Sequence, residues 1–167
     1  MYMKMNYFSN PQTLENLKQQ YRELALKHHP DRGGSDESMK AVNNEYDELF
    51  KLLKDIHRTK DSETYTTKQE TSETSEQFKN IIDELMKMED IVIEIIGCFV
   101  WVTGNTRTYK DKLKELKFQW HSKKTAWYLK PEDYKKRSRG DYDLDEIREM
   151  YGTNGAVNSK GREKITV

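Results

Sequence analysis

Apolar positions recur at helical spacing through the first third of the chain. Leu14, Leu17, Tyr21, Leu24, Ala25 and His28 align in one stripe when successive residues turn by about 100°. Asn10 followed by Pro11 predicts the cap and first position of this helix, because proline lacks only an N–H that would be unpaired there anyway. Pro30 disfavours helical backbone at His29 and ends the stripe. The turn-forming run Arg32-Gly33-Gly34-Ser35 follows. Met39, Val42, Asn43, Tyr46, Leu49, Phe50 and Leu53 then predict a second helix, capped by Ser35 or Asp36. Two amphipathic helices joined by a short loop bury their stripes against each other as a hairpin, with Tyr7 and Phe8 over its open end.

The pattern then changes twice. From Thr59 to Gln77 the chain is Thr, Ser, Glu, Lys and Gln, with Tyr65 the one large apolar residue. Such a stretch buries too little to offset the entropy of ordering and reads as a linker. A helix begins near Thr74, with Phe78, Ile81, Ile82, Leu85 and Met88 as its stripe. Beyond Asp90 the period shortens. Ile91–Ile96 is rich in β-branched residues, and Cys98–Thr103 is apolar with Phe99 and Trp101 alternating, so two strands are predicted around a turn or bulge at Gly97. Tyr109–Leu116 reads as a helix, Ala126–Leu129 as a strand closed by Pro131, and Asp143–Tyr151 as a last helix ended by Gly152. The fold class is α+β: a helical hairpin followed by a small strand–strand–helix–strand module. The divisions expected are a hairpin over 1–58, a flexible linker over 59–77, a basic α/β module over 78–152 and a polar tail over 153–167.

Composition favours two small cores over one large one. The 167 residues are 34% hydrophobic and 35% charged, against about 25% charged in an average globular chain. Met1 to Asn10 carries no apolar run of the secretory kind, and no stretch reaches the roughly 18 apolar residues of a membrane span. One cysteine leaves no internal disulfide framework and no cysteine-rich zinc module, so a reducing, cytoplasmic setting is expected. His57 and His121 lie far from His28 and His29, and no spacing points to a metal, a cofactor or acid–base catalysis.

The most specific signal lies at the end of the first helix. Tyr21-Arg22-Glu23-Leu24-Ala25-Leu26-Lys27-His28 runs into His29-Pro30-Asp31, and Asn43 and Tyr46 follow on the second helix. This arrangement, over about residues 5–55, resembles the J-domain family, the co-chaperones of DnaK-type heat-shock ATPases. The resemblance implies a chaperone-binding site made of Lys18, Arg22, Lys27, His29, Pro30 and Asp31. It also implies a function: recruiting the chaperone and stimulating its ATP hydrolysis. The chemistry suits that role. Pro30 stiffens the loop, so less entropy is lost on docking. Asp31 is an acceptor-only carboxylate suited to a bidentate arginine. Lys18 and Arg22 sit one turn apart, where they can steer an acidic partner, while Lys27 falls on the other flank. Three departures stand out: Glu23 replaces a base, the usual first helix shrinks to residues around Tyr7 and Phe8, and the loop is short, as in viral and auxilin-like members. No Gly/Phe-rich segment or cysteine-rich repeat follows.

The last module resembles small domains that follow J-domains in some bacterial and phage-type proteins. Its charge is lopsided, with 12 basic against 4 acidic side chains over residues 105–139 and 4 against 10 over 59–104. Bases interleaved with aromatics suit single-stranded nucleic acid, and Tyr109, Lys114, Lys117, Trp120, Lys123 and Lys124 are the candidates. The same pattern suits a tiny domain whose tryptophans form the core and whose lysines keep it in solution, or a protein-binding surface. A rival to the co-chaperone role is therefore a nucleic-acid-binding protein whose helical hairpin is only structural.

Overall fold

The computed structural model describes residues 5–58, 64–66, 73–132, 134, 140–151 and 157–158. Helix α1 spans Leu14–His28. Thr13 caps it, its hydroxyl accepting from the Asn16 N–H at 3.3 Å. Asn10, the cap expected from sequence, instead sits at a positive φ of 42° and its carbonyl accepts from Gln12 Nε2. A single 3-10 turn, Pro30–Arg32, leads to helix α2 at Asp36–Leu53, which Ser35 caps through the Ser38 N–H at 3.1 Å. Two short strands, β1 at Ile56–Arg58 and β2 at Thr64–Thr66, pair antiparallel. Helix α3, Ser75–Met86, opens with a full capping box between Thr74 and Gln77.

Strands β3 (Ile91–Ile96) and β4 (Phe99–Gly104) form a hairpin with all six β3 residues buried. One 3-10 turn at Arg107–Tyr109 leads into helix α4, Lys110–Glu115. Strand β5 at Gln119–His121 pairs with β6 at Ala126–Leu129, helix α5 spans Leu144–Tyr151, and β7 is Val157–Asn158. The sheet order is β5-β6-β4-β3-β7, antiparallel throughout. The fold is therefore α+β, with the helical hairpin at its N-terminal end. Trp120, between the helix expected over Tyr109–Leu116 and the strand expected over Ala126–Leu129, belongs to an additional edge strand, β5, too short to show a period of two. In the stretch read as a polar tail, 157–158 adds a strand to β3, and the rest lies outside the described residues.

One hydrophobic cluster runs through both halves of the chain. It joins Leu17, Tyr21 and Ala25 of α1 to Tyr46 and Phe50 of α2, Phe78 and Ile82 of α3, and Ile91, Ile93 and Ile95 of β3. Phe78 is the keystone: fully buried, its ring lies 5.9 Å from both Tyr21 and Tyr46, which are themselves 4.5 Å apart. The expectation of two separate cores is thereby corrected. A two-helix hairpin leaves one side of its stripe open, and the stripe of α3 fills it. Two parts of the segment expected as a linker belong to elements: 64–66 is β2, and 74–77 caps and starts α3. Residues 59–63 and 67–72 lie outside the described set. The other face of the sheet carries a second, smaller cluster of Ile96, Trp101 and Ala126 under Leu144 and Ile147 of α5. Glu94 on that face is 1% exposed and is bound bidentately by Arg148 of α5 at 2.8 and 2.5 Å.

Candidate functional site

The loop between α1 and α2 is rigid by construction. His29 has extended backbone, φ −64° and ψ 134°, as a residue before proline must. Its carbonyl accepts from the N–H groups of Arg32 and Gly34, and the Pro30 carbonyl accepts from Gly33. Gly33 sits at φ +86°, and a Cβ on Gly34 would lie 2.0 Å from the His28 carbonyl oxygen, so the turn closes only over two glycines. The His29 ring is fixed by both nitrogens. Nδ1 accepts from the Asp31 N–H at 3.2 Å, which leaves Nε2 to donate to Asp83 Oδ1 at 2.6 Å. Pro30 and Asp31 point outward, the Asp31 side chain 52% exposed.

Helix α3 grips this loop from the side. Arg32 donates to the carbonyls of Met86, the last residue of α3, and Met88, just past it, at 2.9 and 3.1 Å, where a helix end leaves carbonyls without intrahelical donors. Burial works to raise the Asp83 carboxyl, but hydrogen bonds from His29 and Lys87 outweigh it and hold the group below the usual carboxylate range. A groove of about 470 Å³ opens between the three helices, lined by Tyr21, His29, Asn43, Asp47, Lys79 and Asp83. A second recess reaches from it to Pro30, Asp31 and Lys40.

The residues carried over from the resemblance divide sharply. Pro30, Asp31 and Lys27 are exposed, whereas His29 is 5%, Lys18 4% and Arg22 1% exposed. The reading of Lys18 and Arg22 as outward cations is corrected by this burial. Arg22 Nη1 donates to the Ile93 carbonyl of β3 at 2.6 Å, and Gln19 donates to the Ile95 carbonyl at 2.9 Å. Lys18 pairs with Glu73 at 2.5 Å and lies over the Phe78 ring at 5.0 Å. Burial lowers the Arg22 pKa, with Glu23 and Glu94 opposing. Donors three apart on a helix advance about 4.5 Å, and carbonyls two apart on a strand about 6.6 Å. Side chains as long as Gln and Arg absorb the difference. Asp83, Arg32 and Glu73 are the site residues that sequence reasoning missed. Their partners lie more than fifty positions away, and no local pattern pairs them.

The basic module is laced with acids. Lys114 and Lys117 are exposed, Lys117 reaching Glu132 at 3.4 Å, and Lys112 bridges Glu84 and Glu115. Lys123 pairs with Asp141, which raises the lysine and lowers the acid through their hydrogen bond. Lys124, expected as a surface contact, has a side chain only 8% exposed and donates to the Tyr142 carbonyl. Tyr109 is partly buried against the core, its hydroxyl accepting from the Glu89 N–H. Trp120 is 48% exposed and packs on the buried Trp127 at 5.6 Å. Lys135, Lys136, Arg137 and Arg139 lie outside the described residues.

No helix among the described residues is long and apolar enough to cross a membrane. No family model matches the chain, and no solved structure matches it significantly. Over 47 residues it is 40% identical to the chaperone protein DnaJ of Acetobacter pasteurianus, a match covering 28% of this chain. The match spans 12% of that relative's length, so the similarity concerns one segment of a much longer protein.

Proposed function

We propose that this chain is a J-domain-type co-chaperone: it recruits a DnaK-type heat-shock chaperone, stimulates its ATP hydrolysis and directs it through the C-terminal module. The observation that carries this reading is the loop His29-Pro30-Asp31. It stands at the corner of a helical hairpin, pre-ordered by two glycines and by both nitrogens of His29, with Pro30 and Asp31 exposed. The segmental similarity to a DnaJ chaperone supports it. An ordered loop with an outward carboxylate loses little entropy on binding a partner's guanidinium.

Asp31→Asn is the cleanest test. Among the described residues, Asp31 takes part in the fold through its backbone and a 3.7 Å approach to His29, whereas His29→Gln also breaks the contact with Asp83. Stimulation of the chaperone's ATP turnover by the full chain should fall to the unstimulated rate in Asp31→Asn, with circular dichroism unchanged. Full stimulation by that variant contradicts the reading.

A further inference from the structure

We propose that the chain is latent, and that α3 and β3 occupy in cis the flank of α1 on which the chaperone docks, so that full docking requires them to move off. The proposal rests on the co-chaperone reading and concerns the regulation of that same site. Three docking groups implied by the resemblance, Lys18, Arg22 and His29, are each covered. Each is held by a group far along the chain from it: Glu73 before α3, the Ile93 carbonyl of β3, and Asp83 of α3. One flank of one helix and its loop is thus tied down at three points by groups lying beyond residue 72.

The chemistry of this contact favours its opening. An interface closed over a lysine and an arginine gives up much of their hydration, and both recover it when the faces part. Arg22 donates there to the neutral Ile93 carbonyl at 2.6 Å and approaches Glu23 at 3.4 Å. Against opening stand the apolar contacts of Phe78 and Ile82, which make the closed form the majority state. Pro30, Asp31 and Lys27 stay outside in the closed form, so the chaperone can meet the loop before the flank is free. A partner that binds only the open state shifts the population toward it, and its apparent affinity is reduced by the fraction open.

The single cysteine reports on the contact. Cys98 lies in the β3–β4 turn, and its thiol is pushed up to about 11 by burial first and by Glu15 of α1 next. Separation of β3 from α1 returns it toward the ordinary thiol value. The reactive thiolate fraction at pH 8 then rises, by about tenfold for each unit that the thiol pKa falls. The experiment measures alkylation of Cys98 by iodoacetamide in the full chain, read by mass spectrometry of its peptide, with and without a saturating DnaK-type chaperone and ATP. Latency predicts acceleration of at least about tenfold on adding the chaperone, and none with Asp31→Asn. Stimulated ATP turnover with Cys98 still alkylated at the free-chain rate overturns the latency and leaves the co-chaperone reading standing. Absence of both binding and stimulation removes that reading, and the latency with it.

Discussion

Two cation-bearing regions look alike in the sequence and end in opposite environments. On α1, Lys18 and Arg22 lie inside the molecule, against Glu73 and the Ile93 carbonyl. Around α4 and β5, Lys112, Lys114, Lys117 and Lys123 lie outside, several of them within reach of an acid. The difference comes from what covers each element. Helix α1 is packed by α2 on one side and by α3 and β3 on another, so a stripe one helix wide is not its whole buried surface. Helix α4 buries Leu113 and presents the rest to water. Charge beside a stripe therefore indicates exposure only when a single neighbour covers the helix.

Substitutions in the two regions should differ widely in cost. Phe78→Ala removes the ring that joins α1, α2 and α3 and should cost about 3–5 kcal/mol in a denaturant titration. A loss under about 1 kcal/mol would mean that α3 is not part of the core. Arg22→Ala leaves the Ile93 carbonyl without its buried donor and should cost about 1–3 kcal/mol, while Lys117→Ala should stay within about 0.5 kcal/mol. Equal costs at the two positions erase the contrast.

The outer region is tested by salt. If Lys114 and Lys117 neutralise two phosphates of a single-stranded oligonucleotide, log affinity should fall with log salt at a slope of about −1.4. Lys114→Glu with Lys117→Glu should flatten that slope, and Trp120→Ala should weaken binding without changing it. A slope unaffected by the lysine pair removes those residues from any nucleic-acid role. The smallest effect is the acid limb of stability. Asp83 has its pKa depressed in the folded chain, so it stabilises above the unfolded carboxylate value of about 4. That contribution is lost as pH falls through the lower folded value. Asp83→Asn should flatten the stability profile between those values, and an unchanged profile would show that the His29 contact contributes nothing there.

Local signals carried the elements well. The hairpin, the capped start of α3 at Thr74, the strand at Ile91–Ile96 and the strand at Ala126–Leu129 all follow from period, caps and turn residues. The tertiary arrangement was less legible. Glu73, Asp83 and Arg32 are polar residues beside helix ends, and nothing local says they reach partners more than fifty residues away. The polar stretch before Thr74 looked like a separator because its composition says nothing of the 64–66 strand pairing or of α3 closing over Tyr21 and Tyr46. In the candidate site, the outward Pro30 and Asp31 follow from a turn whose proline and glycines are local signals, while its clamp by Asp83, Met86 and Met88 is not. The burial of Lys18 and Arg22 was not legible, because the groups that cover them, Glu73 and Phe78 for one and Ile93 for the other, lie more than fifty residues downstream.

The hairpin and the sheet share one core, and the tryptophans report on it. All three belong to the sheet, Trp101 on β4, Trp120 on β5 and Trp127 on β6, and none to the hairpin. Leu17 is fully buried on α1. Urea unfolding of Leu17→Ala should be followed by tryptophan fluorescence and by far-ultraviolet circular dichroism together. A shared core predicts that both midpoints fall together, by a loss of about 2–5 kcal/mol. A helical signal that weakens while the tryptophan midpoint stays at its wild-type position would contradict it.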